Sequence, residues 1–218
     1  MLNVDEQQTN PSEYAVEVAF AASLIGADFS YQDISGHNLS NVCLVGCNFD
    51  NANLTKTNFT NCIMTNSSFR GATCHKTNFT RANVVKGDFS RANLHLANFI
   101  ETDATGCDFS MAYMKGTLFL RAKVRSSHFR RVTAKDALFI DTDARKCDFV
   151  GADLLGARFN GSKVWGCRNL EWAILNWYLS PFGGPPAYSP RPGWDKLTSS
   201  VLGGISLREN SGRIRTEE

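Results

Sequence analysis

The stretch that decides the fold is residues 77–99, which read TNFTR-ANVVK-GDFSR-ANLHL-ANF. Each five-residue unit opens with a small residue, continues with Asn or Asp, and places an apolar residue third. Phe alternates with an aliphatic residue at this third place, so Phe recurs every ten residues. A period of five fits neither the 3.6-residue period of an amphipathic helix nor the two-residue period of a strand. The chain is therefore expected to turn a corner once per unit.

The same period runs through about two thirds of the chain. From Leu24 to Val164, all 29 third places are apolar, and the small place is Ala, Gly, Ser, Thr or Cys in 25 of the 29 units. A single unit cannot bury its inner side chains, whereas stacked coils make a continuous core and satisfy the backbone polar groups. Thirteen of the fifteen Phe occupy third places, namely 29, 49, 59, 69, 79, 89, 99, 109, 119, 129, 139, 149 and 159.

This pattern resembles that of the pentapeptide-repeat proteins, whose unit is written A-[DN]-[LF]-x-x. Ala52-Asn53-Leu54 and Ala92-Asn93-Leu94 match the first three places of the unit. The resemblance implies an all-β fold, a right-handed quadrilateral β-helix with four units in each coil. At about 4.8 Å between neighbouring strands, we expect about seven coils and a prism about 34 Å long.

A twenty-residue coil makes residues twenty apart stack and places residues ten apart on opposite walls. The Phe residues then form two opposed ladders inside the prism. On the outside, Asn38, Asn58, Asn78 and Asn98 are expected to form a hydrogen-bonded ladder. A second outer column alternates in sign, so that opposite charges become neighbours; its members are Asp103, Lys123, Asp143 and Lys163.

The domain organisation follows from where the repeat begins and fails. Residues 1–22 are predicted to hold a short helix over Pro11–Ala22 that caps the first coil. Residues 23–168 form the repeat β-helix, residues 169–180 an amphipathic C-terminal cap, and residues 181–218 a Pro-rich extended tail. The aromatic residues of the C-terminal cap either plug the last coil or contact a partner or a second copy; they are Trp172, Trp177 and Tyr178.

No arrangement typical of catalysis occurs in the sequence. It holds no Gly-rich phosphate loop, HExxH motif, nucleophile elbow or Ser/His/Asp grouping. We therefore expect a protein that is not an enzyme and that has no cofactor and no metal site. His75 and His95 share an outer column with Lys115 and Lys135, and lysines repel a cation, so this column is interpreted as solvated surface.

The seven cysteines show no metal or disulfide spacing. Five of them take the small inward place, so they are interpreted as small buried residues; they are Cys47, Cys62, Cys107, Cys147 and Cys167. Cys147 and Cys167 lie on adjacent coils, and a disulfide between them is the alternative in an oxidising compartment.

The net charge of +2 is unevenly distributed along the chain, whose middle part is basic. Residues 1–69 carry a net −6, residues 70–135 a net +8, and residues 136–218 a net charge of 0. The basic residues spread over all four predicted walls, whereas a nucleic-acid site concentrates them on one face. Nucleic acid is therefore not the expected partner.

The resemblance adds one sharper model, because some pentapeptide-repeat proteins resemble B-form DNA, bind DNA gyrase or topoisomerase IV, and protect them from quinolones. A duplex about 34 Å long carries roughly twenty negative charges. Residues 24–168 carry 12 acidic and 18 basic side chains, which is the opposite sign. The leading hypothesis is a non-catalytic interaction or scaffold protein with an unknown protein partner, and the DNA mimic is the alternative.

The sequence contains no apolar run of about 18 residues and no signal-peptide pattern in its first 25 residues. We therefore expect no membrane span and a cytoplasmic protein. A processed mature form in a thylakoid lumen or plastid is the alternative, since the resemblance implies a cyanobacterial or plastid-like source.

Overall fold

The computed structural model describes residues 24–170, which form a β-helix. Its backbone pairing consists of single parallel bridges, from Asp28 with Asn48 to Asp148 with Arg168. Within the described residues, each strand is one bridge residue long, and a new bridge residue follows every five positions. Every bridge joins residues twenty apart, so one coil takes twenty residues and has four walls. The predicted all-β solenoid is confirmed.

The walls are named after their bridge residues. Wall 1 carries bridge residue 88 and the residues stacked above and below it at intervals of twenty; walls 2, 3 and 4 are defined in the same way by residues 93, 98 and 103. Two residues after each bridge residue the side chain again faces outward, and the next residue forms the corner to the following wall. Three of every five side chains are therefore available at the surface.

The corners are built as type II turns. At the corner formed by Leu96, the N–H of Ala97 donates to the carbonyl of Leu94 at 2.9 Å, and Leu96 has φ 57°. Such a 4→1 hydrogen bond with positive φ at the third residue defines this turn type. All 29 corners from Gly26 to Gly166 have positive φ, and only ten are Gly. None is β-branched, because a β-branched side chain tolerates this conformation poorly.

The interior holds the two predicted Phe ladders, one on wall 1 and one on wall 3. Phe99 stacks on Phe79 and Phe119 with ring centroids 4.7 and 4.9 Å apart. It also meets Phe89 and Phe109 of the opposite ladder edge to face, at 5.6 and 5.8 Å. Both are favourable aromatic arrangements. From Phe49 to Phe149 the rings are fully buried, so the prism is filled by its own side chains.

The small inward place has a second role that the sequence did not indicate. The Thr117 hydroxyl donates to the carbonyl of Leu94, one coil earlier, at 2.8 Å. The Cys107 thiol likewise donates to the carbonyl of Val84 at 3.0 Å. Burial raises the pKa of this thiol, which therefore stays protonated and able to donate. The same contact is made by Cys47, Thr57, Cys62, Ser67, Thr77, Thr102, Ser127, Thr142, Cys147, Ser162 and Cys167.

The predicted asparagine ladder forms only in part. Asn58 donates to Asn38 at 2.8 Å, but Asn78 lies 3.5 Å from Asn58 and donates to the Thr60 hydroxyl at 3.0 Å. The shared role of these side chains is local, because each accepts the backbone N–H two residues later, as Asn98 does from Ile100 at 2.9 Å. This Asx contact stabilises the turn and explains why Asn and Asp precede the apolar residue.

The charged column also follows the prediction only in part. Lys123 contacts Asp103 at 3.5 Å. Asp143, however, pairs with Arg145 at 2.5 Å and with Arg125 at 3.9 Å, on its own wall, instead of with the lysines above and below it. Arg145 donates to both oxygens of Asp143 through its forked guanidinium, a two-point contact that a lysine ammonium does not make.

The predicted end segments lie outside the described residues. This applies to the capping helix at 11–22, to the tail at 181–218, and to all of the 169–180 cap except Asn169 and Leu170. Leu170 is buried and helical, and the description ends there. Over residues 24–170, no helix has the length and hydrophobicity that a bilayer crossing requires.

Candidate interaction surface

Because the interior is filled, the chemistry of this protein lies on its walls, and the walls differ in how their charges are paired. On wall 1, Asp148 contacts Arg130 at 2.7 Å and Arg168 at 3.6 Å. At the corner after wall 3, Glu101 lies between Arg81 and Arg121, at 2.7 and 2.6 Å. These ion pairs join neighbouring coils, and each group of one carboxylate and two arginines keeps a single positive charge.

Neighbouring arginines keep both of these carboxylates, Asp148 and Glu101, in the ionised form. The Asp148 side chain is only 5% exposed. Burial raises its pKa, but the hydrogen bonds from Arg130 and the Val150 N–H, together with the charge of Arg168, outweigh burial and hold the pKa below its ordinary value. Hydrogen bonds from the two flanking arginines lower the pKa of Glu101 in the same way. Both groups are therefore ionised partners of cations at neutral pH.

Wall 2 keeps its positive charge. Lys135 contacts Asp153 at 3.4 Å, and this is the one ion pair of wall 2 among the described residues. Five other cations on this wall or at its corners make no ion pair within residues 24–170; they are Lys56, Lys76, Arg91, Lys115 and Arg131. Of the four remaining cations without an ion pair in this range, Lys163 lies on wall 4, Lys86 and Lys146 lie at the corner after wall 4, and Arg158 lies on wall 3.

The bridge residues reinforce the difference between wall 2 and its neighbour. From residue 53 to residue 133 the bridge residues of wall 2 are uncharged, whereas those of wall 1 include Asp88, Asp108 and Asp148. The sequence shows basic residues on every wall, but it does not show which of them are neutralised. Five cations and two carboxylates, Asp33 and Asp136, make no ion pair on wall 2 or its corners within residues 24–170, and this excess of three positive charges is the largest of the four walls.

Wall 2 also exposes large apolar side chains. Leu96, Met111 and Tyr113 are 42%, 49% and 42% exposed, and they lie on two successive coils. A stack of rings runs along the same wall, with His75 and His95 5.1 Å apart and His95 and Tyr113 5.7 Å apart. Apolar, aromatic and cationic side chains therefore share one flat surface near the middle of the described coils.

The repeat pattern is also found by comparison with known families. The model described as Pentapeptide repeats matches with 8 copies, over residues 22–61, 47–84, 72–110, 88–119 and 127–166. These matches cover more than half of the chain. The chain belongs to the pentapeptide-repeat family.

Solved structures of other pentapeptide-repeat proteins are similar to this one in fold. HetL, involved in heterocyst differentiation regulation in the cyanobacterium Nostoc, is 14% identical, with a TM-score of 0.37 and coverage of 77% of this chain and 93% of its own. A trypsin-treated variant of QnrB1, a plasmid-mediated fluoroquinolone resistance protein, is 17% identical, with a TM-score of 0.32 and coverage of 74% and 97%.

A thylakoid-lumen pentapeptide-repeat protein of Arabidopsis thaliana is 18% identical, with a TM-score of 0.20 and coverage of 87% and 86%. No curated protein sequence matches the chain. At these identities the structural similarities concern the fold alone, and they carry no information on what this pentapeptide-repeat protein binds.

The residues predicted as a partner contact are not placed by the structure, since Trp172, Trp177 and Tyr178 lie outside the described range. Within residues 24–170, no three His, Cys, Asp or Glu side chains group as metal ligands do. Cys147 and Cys167 are both thiols in this structure. The surface on wall 2 was missed at the sequence level, where its residues are spaced five and twenty apart among many similar ones.

Proposed function

We propose that this pentapeptide-repeat protein is a non-catalytic interaction or scaffold protein, built on a right-handed β-helix of about seven coils. The observation that carries the proposal is the exposure of large apolar side chains on rigid, flat walls. Exposed apolar groups that cluster on a folded protein mark sites of contact with other proteins. Leu96, Met111 and Tyr113 form such a group on wall 2, and the other exposed large apolar side chains within residues 24–170 lie apart from it; they are Ile25, Tyr31, Ile63, Val150 and Leu155.

The packing of the interior supports the same reading. The Phe ladders and the small inward residues fill the prism, so a binding partner has to be recognised by outward side chains on flat surfaces. Such surfaces suit macromolecules, since small-molecule sites are concave and enclose most of their ligand.

The test is photo-cross-linking in extracts of the native source, with the full chain carrying a photoreactive phenylalanine at single exposed wall positions. We expect a small set of proteins to be cross-linked from some walls and to be displaced by excess unlabelled protein. Cross-linking that is equal from all walls and resists displacement would contradict the proposal. An unrelated protein of equal net charge is the control.

The DNA-mimic alternative predicts a different result. Residues 24–168 carry a net +6, and the unpaired charge of the walls is positive, so the molecule lacks the charge of a duplex. We expect neither inhibition of gyrase nor protection from quinolones in a supercoiling assay. Either effect at stoichiometric protein would replace the scaffold proposal with the alternative.

The C-terminal aromatic residues remain the proposed contact for a second copy. Light scattering of the full chain and of Trp177→Ala tests this. A dimer mass that falls to a monomer mass in the variant supports the contact, and a monomer in both proteins contradicts it.

A further inference from the structure

The corners of the β-helix carry information because their conformation restricts which residues fit. An L-residue with positive φ is strained, Gly is not, and Asn and Asp tolerate it best among the rest. Of the 29 corners, only three hold a large apolar side chain, namely Tyr31, Leu96 and Met111. Leu96 and Met111 have φ 57° and 61° and flank wall 2 on successive coils.

Neither conformation nor core packing explains these two residues. Both are more than two fifths exposed and lie outside the buried core, and the Leu96 side chain lies over Gly116 of the next coil. A Gly or Asn at either place would relieve the backbone and remove apolar surface from water. The fold requires positive φ at every corner, so what it leaves unexplained at these two is the exposed large apolar side chain, and exposed apolar groups that lie together mark contact sites.

The cations around Leu96 and Met111 indicate a negatively charged partner. Met111 lies in its column between Arg91 and Arg131, and Leu96 directly follows Lys76. Tyr113 and Lys115 lie between the two corners. None of these four cations has an ion pair among the described residues. An apolar centre is thus surrounded by uncompensated positive charge.

The side chains of this surface are together called the waist patch; they are Lys76, Arg91, Leu96, Met111, Tyr113, Lys115 and Arg131. We propose that the waist patch binds an acidic segment of a protein partner that carries apolar side chains between its carboxylates. The proposal rests on the proposed interaction function and specifies the chemistry of one partner. Tyr, Met and Arg are the residue types enriched at protein–protein interfaces, and the unpaired cations steer and orient an acidic partner.

A protein segment fits these observations better than a nucleic acid does. Single-stranded nucleic acids are bound by aromatic side chains whose ring faces are open to a base. Here His95 lies between two rings, stacked on His75 at 5.1 Å and in tilted contact with Tyr113 at 5.7 Å, so its faces are not open to a base. Leu96 and Met111 offer aliphatic contact, which suits apolar side chains.

The experiment is fluorescence anisotropy with the full chain and a short labelled peptide in which Glu alternates with Leu. A peptide with Gln in place of every Glu and a single-stranded oligonucleotide of equal charge are measured in parallel. We expect the Glu peptide to bind most tightly and to weaken as salt is added. The double variant Leu96→Asn/Met111→Asn is expected to weaken binding at least about tenfold, as removal of central interface residues does.

The chain offers a matched control in Tyr31→Asn. It replaces the third apolar corner, which has φ 59° and is 79% exposed but lies away from the waist patch. Asn suits all three corners, so the variants are expected to fold, which their circular-dichroism melting curves check. Lys76→Asn and Lys86→Asn form a second matched pair. Lys76 has φ 56° and lies at the corner after wall 2, whereas Lys86 has φ 58° and lies at the corner between walls 4 and 1. Only Lys76→Asn is expected to weaken binding.

Three results would overturn the inference. They are equal binding of the Glu and Gln peptides, equal weakening by Tyr31→Asn and the double variant, and tighter binding of the oligonucleotide through the same residues. Failure here is distinguishable from failure of the proposed function. If photo-cross-linking identifies a partner while the peptide does not bind the waist patch, only this site assignment is wrong.

Discussion

Replacement of Phe99 by Ala tests the packing of the whole solenoid, because this ring lies near the middle of both ladders. Phe99 is fully buried and touches aromatic rings above, below and across the prism, with centroids 4.7 to 5.8 Å away. An Ala in its place leaves a cavity between filled coils. The backbone bridges hold the neighbouring coils in register, so the cavity cannot collapse easily.

The magnitude follows from the burial and from the rings that remain. A buried Phe→Ala replacement destabilises a protein by about 3–5 kcal/mol. Aromatic pairs add about 0.5–1.5 kcal/mol each beyond the area that they bury. Phe99 loses its stacked and its edge-to-face partners together, so we expect the upper end of that range, about 5 kcal/mol. Phe29 is only half-buried and stacks on Phe49 alone among the described rings, so Phe29→Ala is expected to cost about 3 kcal/mol or less.

The assay is urea unfolding followed by circular dichroism, with the free energy of unfolding extrapolated to water. Phe99→Leu is the conservative control, because Leu39 already occupies a ladder position in the native chain. This variant is expected to lose about 1 kcal/mol, since it keeps most of the volume. If Phe99→Ala lowers the free energy of unfolding no more than Phe29→Ala does, the ladders do not couple the coils as reasoned here.

Three further predictions concern the corners, the inward hydroxyls and acid stability. Ser126 is an exposed corner with φ 55°, so Ser126→Val should lose about 1–2 kcal/mol in urea unfolding, whereas Ser126→Asn should lose nothing. Thr117→Val removes the single hydroxyl donor that lies 2.8 Å from the carbonyl oxygens of both Leu94 and Met114 and should cost about 1 kcal/mol, while Thr117→Ser keeps this donor. The folded pKa of Asp148 is depressed, so the stability it contributes is present above its unfolded value of about 3.9 and is lost as pH falls through the folded value. Asp148→Asn should therefore unfold in urea with a smaller loss of stability on acidification than the wild type, and an identical pH profile would refute the role of this carboxylate.

The solenoid could be predicted from the sequence because each inward side chain is fixed by burial. Phe99 and Phe119 stack since they are one coil apart, and only an apolar residue is accepted at that depth. The same logic fails at the surface. The Asn78 Oδ1 accepts the turn N–H of Thr80, while its Nδ2 group has two acceptors one coil away, Thr60 and Asn58, and its position in the sequence does not decide between these two.

The charge pattern of the walls could not be predicted for a related reason. Arg130 and Arg131 are neighbours in sequence, yet Arg130 faces wall 1 and reaches Asp148, whereas Arg131 forms the next corner. Eight of the nine ion pairs within residues 24–170 join residues 18 or 20 apart, Arg145–Asp143 being the exception, and which of them form depends on side-chain length and direction. The positive character of wall 2 emerges only when the paired charges of the other walls are set aside.

In a repeat fold of this kind, agreement with the repeat is uninformative about function. A Phe at a ladder position or a Cys at a small place satisfies the geometry of the repeat. The Cys107 thiol shows that even a reactive residue type can serve only to donate a hydrogen bond to a backbone carbonyl. Information about a partner has to come from residues that the geometry disfavours. Leu96 and Met111 are such residues, because each combines a strained backbone with an exposed apolar side chain, and their position on the wall with the most unpaired positive charge makes wall 2 the first surface to examine.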